Sequence, residues 1–263
     1  MNGALERTGR RTREAIAAYV QVAAVLGAVG VQAFRRSNWS GPVRSVLGRQ
    51  ILFTGIDALR FVSFVAIVVG LSVVVQTQVW LLRVGQSALV GPLLVAVVMR
   101  EAGPLLVNFI VIGRSGTAMA AELAQMRVSG EVEVLDSQGV DPFLYLVMPR
   151  VAGAAVSTFC LTVVFLVLAL AGGFFLGTLL GMRMGLPSVF VRSVFGAIRP
   201  ADVVSMLLKT LIPGAVTAAI CSSEGLRVGR ATTEIPIAAM RGVTRSVIAL
   251  FVVSGTVSVL GYL

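Results

Sequence analysis

The stretch VAGAAVSTFCLTVVFLVLALAGGFFLGTLLGM, residues 151–182, lies between Arg150 and Arg183 without one charged side chain. A helix rises 1.5 Å per residue, so about 20 residues cross about 30 Å of hydrocarbon, and a run this long and apolar reads as a transmembrane helix. Phe61 through Leu82, between Arg60 and Arg83, and Ser246 through Leu263, after Arg245, read the same way. Two more stretches carry embedded charges: Val84 to Gly113, interrupted by Arg100 and Glu101, and Val203 to Ser223, interrupted by Lys209. The pattern predicts an all-α integral membrane protein with about five transmembrane helices. Composition agrees, because 57% of the 263 residues are AVILMFWYC and only 13% are charged. That is about half the charge of a soluble domain, too little polar surface to clothe a globule of this size in water.

The basic residues set the expected orientation. With the amino terminus in the cytoplasm, eight arginines precede the first span. Arg114, Arg127 and Arg150 fall between spans two and three, and Arg227, Arg230, Arg241 and Arg245 between spans four and five. Arg83, Arg183, Arg192 and Arg199 fall outside. Cytoplasmic loops of membrane proteins carry the excess of Lys and Arg, so the opposite orientation is disfavoured. Ala15 through Phe34 is also long enough to cross, but Arg7, Arg10, Arg11 and Arg13 precede it and Arg35, Arg36, Arg44 and Arg49 follow. A helix lying in the interface keeps both clusters inside, whereas a spanning helix would export one. The expected organisation is a single domain over 1–263: a cytoplasmic or interfacial amino-terminal helix within 1–49, then a five-span region over 50–263 with a cytoplasmic loop at 114–150.

Composition also excludes several chemistries. The net charge of +10 comes with 7% aromatics and no basic run near a nucleic-acid-binding motif, so no nucleic acid is expected as partner. No histidine is present, which removes zinc-protease HExxH motifs, His-dependent hydrolases and His-ligated haem, and no metal ligand set or catalytic residue is expected. Cys160 and Cys221 lie in apolar runs, where free cysteines behave as small hydrophobes. A GxxxxGK[ST] phosphate loop is missing, so no cofactor is expected on this chain and it cannot cradle ATP by that route.

Residues 113–142 hold five of the twelve acidic residues. Glu131, Glu133 and Asp136 mix with Val128, Val132 and Leu135, giving a short helix an apolar stripe and an acidic side. Gly139 suits the left-handed position that ends such a helix, Asp141 can cap the next, and Pro142 fits its first turn. The pattern suits either a docking element for a cytoplasmic partner or a solvated loop.

At this segment the chain resembles the MlaE/YrbE permeases of Mce-type lipid ABC transporters. Matching residues are Arg100-Glu101-x-Gly103-Pro104, Gly113-Arg114-x-Gly116, Ala121-Glu122, Met126-Arg127, Glu131-Val-Glu-Val-Leu135, Gly139-Val-Asp-Pro142 and Pro149-Arg150. The likeness extends more weakly from about Arg44 to the end, through Lys209, Gly225-Leu226 and Gly229-Arg230-Ala231-Thr232. Two departures occur: Gly130 replaces a common Glu, and Glu133-Val134 the usual Asp-Ala. The resemblance implies a multi-pass permease subunit of the bacterial inner membrane, paired with an identical copy or a paralogue. Such a subunit passes lipids between that membrane and an Mce-domain lipid-binding protein while a separate ABC ATPase consumes ATP. It makes Glu122, Arg127, Glu131, Glu133, Leu135, Asp136, Gly139, Asp141 and Pro142 the expected coupling-helix region that sits on the ATPase.

Arg100, Glu101 and Lys209 form the second candidate site. Charges inside a span cost several kcal/mol when they face lipid, so each should face a partner, a cavity or water. Counted from Pro92 and from Asp202, Arg100 and Lys209 lie about 12 and 10 Å below the outer surface. Adjacent residues point about 100° apart, so Arg100 and Glu101 are expected to face different targets, with Glu101 and Lys209 as an interhelical pair. Pro104 and Pro213 each follow four residues after a charge and can break both helices around a hollow. Two roles stay open: an ion pair that fixes packing, or a cavity whose cations receive phosphate or carboxylate headgroups. Gly177-x-x-x-Gly181 is a helix-association pattern and a candidate dimer seam. Competing functions are an ion-coupled secondary transporter or channel for a small anionic solute, against which the lack of an internal repeat counts, and an intramembrane Ser205–Lys209 dyad, for which no second acid-base group is evident.

Overall fold

The computed structural model describes residues 20–33, 35–85, 89–181, 186–229 and 231–262. Residues 15–19 and Phe34 of the amino-terminal stretch, and Arg183 and Arg230, lie outside the described residues. Among the described residues there is no strand. Helix α1 is Val20–Ala33. Helix α2 runs as Gly41–Ile51, a π-helical turn Leu52–Ile56, and Asp57–Val84. Helix α3 is Val90–Val128, α4 Glu131–Ser137, α5 Phe143–Leu179, α6 Pro187–Ala197, α7 Pro200–Leu226 and α8 Glu234–Tyr262. Among the described residues five helices, α2, α3, α5, α7 and α8, are long and apolar enough to cross a membrane.

Helices overrun the charge-free stretches at one end of the bundle. The candidate spans in α2, α3 and α5 cover 41, 39 and 37 residues, and 41 residues reach about 60 Å, twice the hydrocarbon thickness. The surplus carries Arg44 and Arg49 on α2, Arg127 on α3 and Arg150 on α5, so all three extend beyond the bilayer at a common basic end. The expected loop at 114–150 is accordingly much shorter. Helix α3 continues through Val128 and α5 begins at Phe143, leaving 129–142 as the connection. Met119, Ala120, Leu123 and Ala124 explain this: they are strong helix formers fully buried against neighbouring helices, and the charges between them mark the edge of the bilayer rather than of the helix.

Helix α1 lies against the basic-end half of the bundle. Val22, Val25, Leu26 and Val29 pack on Met119, Met148, Val151 and Ala218. Its 14 described residues reach about 21 Å, short of a crossing. Toward the far end the core joins α2, α3 and α5 through Val62, Ala66, Leu94, Val98, Phe165 and Ala169. There α2 and α5 approach so closely that a Cβ on Gly70 would collide with the Ala169 backbone. Small residues thus bring together two spans of one chain. Gly181, at φ +80°, stands just past α5 in the left-handed conformation that ends helices.

Candidate functional site

At the far end, α3, α7 and α8 enclose a polar cavity of about 330 Å³ lined by Arg100, Glu101, Arg199, Asp202, Lys209 and Ser258. Lys209 is 1% exposed, and its Nζ lies 2.6 Å from Glu101 Oε1. Ser258 of α8 donates to the same oxygen at 3.0 Å. Arg100 Nε lies 2.6 Å from Asp202 Oδ1, and Asp202 Oδ2 accepts the Arg199 backbone N–H at 2.9 Å. Asp202 thereby caps α7 and anchors α3 with the same carboxylate. Arg100 and Glu101 meet different partners, Asp202 and Lys209, though both partners lie on α7. Residues 95–102 form a π-helix, which turns less per residue than an α-helix, and Asp202 and Lys209 lie two turns apart on α7, presenting one partner to each.

The two prolines complete this site. Pro104 has no N–H to return to the Arg100 carbonyl, and Pro213 none for the Lys209 carbonyl. Lys209 Nζ donates to the Arg100 carbonyl at 2.8 Å, while Asn108 Nδ2 donates to the Lys209 carbonyl at 3.1 Å. Each broken helix supplies the donor that the other lacks. Unpaired, either buried carbonyl would cost about 1–3 kcal/mol.

At the basic end, α4 stands between two glycines in the left-handed region, Gly130 at φ +80° and Gly139 at φ +75°. Beyond α4, the Gly139 N–H bonds the Asp136 carbonyl at 3.0 Å and the Val140 N–H the Leu135 carbonyl at 3.0 Å, the paired bonds of a Schellman turn. Asp141 Oδ1 then accepts the Phe143 N–H at 2.9 Å, and Pro142 precedes the first turn of α5. Val132 and Leu135 pack on Leu123 of α3 and Leu146 of α5, while Glu131, Glu133 and Asp136 face out. Val128, expected in the same stripe, instead ends α3 and packs on Val228 and Ala238. Arg127 pairs with Glu133 at 2.6 Å, and buried Arg150 with half-exposed Glu122 at 2.8 Å. A cleft of about 700 Å³ lies beside α4, lined by Arg49, Gln50, Asp57, Glu122, Glu131 and Arg150 among others.

Sequence reasoning left Asp202, Asn108, Ser258 and Glu224 without roles. Asp202 is the only carboxylate between Asp141 and Glu224, and Asn108 follows Pro104 by one helical turn, so both carried a signal. Glu224, 5% exposed, pairs with Arg245 and, at 3.5 Å, with Arg227; Arg227 also donates to Gln21 of α1. That cluster joins α7, α8 and the amino-terminal helix at the basic end.

Five helices long and apolar enough to cross a bilayer, with a polar cavity at one end and an acidic helix held at the other, make the described chain a multi-pass membrane protein. The sequence model of the family Permease MlaE matches residues 47–260. A "Probable ABC transporter permease protein" of Rickettsia prowazekii (strain Madrid E) is 32% identical over 198 residues, covering 72% of this chain and 75% of the relative. A protein of the same description from Synechocystis sp. (strain PCC 6803) is 29% identical over 203 residues, 77% and 76% of the two chains. "Protein TRIGALACTOSYLDIACYLGLYCEROL 1, chloroplastic" of Arabidopsis thaliana is 29% identical over 203 residues, 74% of this chain and 57% of the relative. The chain belongs to the MlaE permease family, and it is a permease subunit.

Proposed function

We propose that this permease moves membrane lipids between a bacterial inner membrane and an Mce-domain lipid-binding protein, driven by a separate ABC ATPase that docks on residues 122–142. The observation that carries the coupling half is the anchoring of α4. Its acidic face points away from the bundle while Val132 and Leu135 grip α3 and α5, so force applied to α4 reaches two spans directly. The basic end is the cytoplasmic end in this scheme, in line with the arginine distribution. ABC transporter permeases among the relatives support an ATPase partner, and the Arabidopsis relative, named for a diacylglycerol glycolipid, supports a lipid substrate. The far-end cavity would receive the lipid headgroup through Arg100 and Lys209. Their ion pairs with Asp202 and Glu101 hold the cavity's shape in the state seen here. A second permease copy, identical or paralogous, would complete the transporter.

Docking is tested by copurifying the permease with its ATPase from native membranes. Charge reversal at Glu131 and Glu133 should lower the ATPase recovered several-fold without reducing permease abundance, because both side chains are exposed and the surface pair of Glu133 with Arg127 is worth at most about 1 kcal/mol. Unchanged recovery would remove α4 as the docking element.

A further inference from the structure

A second cavity at the far end, about 470 Å³, is lined without exception by apolar side chains. Its floor is α3, α5 and α7, with Val95, Met99 and Met206 each under 10% exposed, and its roof is α6, which contributes Phe190 and Val194. Val167 and Phe195 on its rim are 60% and 70% exposed, so the cavity opens toward the surface that meets the bilayer. An empty apolar void would forfeit dispersion contacts along its whole lining, and inside a membrane the abundant apolar filler is an acyl chain.

This cavity adjoins the polar one at three places in the chain. Met99, Ile198 and Met206 line the apolar cavity, while their immediate neighbours Arg100, Arg199 and Ser205 line the polar cavity. The polar side is cationic in sum, with Arg100, Arg199 and Lys209 against Glu101 and Asp202. Arg199 stands exposed at the corner between α6 and α7, free to meet a headgroup oxygen from solvent.

We infer that the two cavities form one amphiphile site within a single permease chain: an acyl chain of a bilayer lipid lies beneath α6, and its anionic headgroup lies in the polar cavity at the Ile198–Arg199 corner. This rests on the lipid-permease function proposed above and specifies where, and with what headgroup charge, one chain holds its lipid. Helix α6 is fastened beside this site by the Phe174–Phe190 ring contact, at 4.7 Å, and by Gly91, where any Cβ would collide with Ser193.

The test uses the full-length permease in vesicles of phosphatidylcholine containing a trace of phosphatidylglycerol or of phosphatidylcholine, either one bearing a diazirine near the end of one acyl chain. A third arm carries the diazirine on a free fatty acid. After illumination, labelled peptides are mapped by mass spectrometry. The expected result is labelling of residues 163–174 and 187–198 well above that of bilayer-facing Phe61–Phe64, several-fold stronger for phosphatidylglycerol than for phosphatidylcholine. Labelling by the fatty acid at the same peptides would extend the headgroup chemistry from phosphate to carboxylate. Val194→Trp should abolish the pocket labelling. Val167→Trp, on the exposed rim and tolerant of a larger side chain, should reduce it several-fold, and Arg199→Glu should erase the preference for the anionic lipid. Labelling no stronger than at Phe61–Phe64, labelling unaffected by both tryptophans, or cross-links to a second permease copy in place of lipid would overturn the pocket. Equal labelling by the two phospholipids would overturn its headgroup half. ATP-driven lipid transfer is measured on the same preparations: transfer without pocket labelling defeats this inference alone, and pocket labelling without transfer defeats the permease function alone.

Discussion

Lys209 is the most deeply buried charge in the far-end cavity, and the two members of its ion pair with Glu101 are unequally buried. Glu101 keeps 39% of its side chain exposed, whereas Lys209 keeps 1%. Removing Glu101 therefore strands a buried ammonium, while removing Lys209 leaves a carboxylate that water can reach. Glu101→Leu should cost about 3–5 kcal/mol, and Lys209→Met distinctly less, about 1–3 kcal/mol, mainly from the orphaned Arg100 carbonyl. Thermal unfolding in detergent measures the difference, and equal losses would contradict it. The reciprocal swap, Glu101→Lys with Lys209→Glu, should rescue only part of the stability, because a carboxylate at 209 cannot donate to the Arg100 carbonyl. The Glu101–Lys209 pair was legible in the sequence because depth follows from counting residues along a helix. The Arg100–Asp202 pair was not, because direction around the axis depends on the π-helical stretch at 95–102, which no residue pattern announces.

Among the elements, α3 and α7 are two proline-broken helices that repair each other. Asn108→Leu should remove the donor to the Lys209 carbonyl, and Pro213→Ala should return a backbone N–H to that same carbonyl. The double variant should therefore recover most of the about 1–3 kcal/mol that Asn108→Leu loses, giving a clear coupling energy in a double-mutant cycle. Additive losses would show that the two groups do not share this acceptor. At the other end, Gly139→Val forces a β-branched residue to φ +75° and should disrupt the Schellman turn after α4. Recovery of ATPase with this variant should fall while the five spans still insert. Retained recovery would mean that α4 need not hold its angle. Turn chemistry is local, which is why Gly139, Asp141 and Pro142 could be read in order from the sequence. Helix ends at the basic end are not local: the stretch at 114–128 stays helical because it packs against α7 and α8, a fact invisible to charge counting.

For the whole molecule, charge placement predicts the sidedness of every loop. In a variant without Cys160 and Cys221, a cysteine at Ser137 or at Ser40 should be shielded from an impermeant thiol reagent added outside intact cells, and one at Ser188 should react. Labelling at Ser137 with protection at Ser188 would invert the topology and place α4 where no cytoplasmic ATPase can reach it. The composition alone announced a membrane bundle, because exclusion of apolar side chains from water sets it. The cavities did not show in the sequence, since each is assembled from three or four helices distant along the chain. ATP-driven lipid movement is the central claim, and it is measured most directly by reconstituting the permease with its ATPase in vesicles containing radiolabelled phosphatidylglycerol and following transfer to a purified Mce-domain acceptor. Transfer should require ATP and the ATPase together and be lost with Glu131→Lys plus Glu133→Lys. A complex that hydrolyses ATP while lipid reaches the acceptor no faster than without ATP would contradict it.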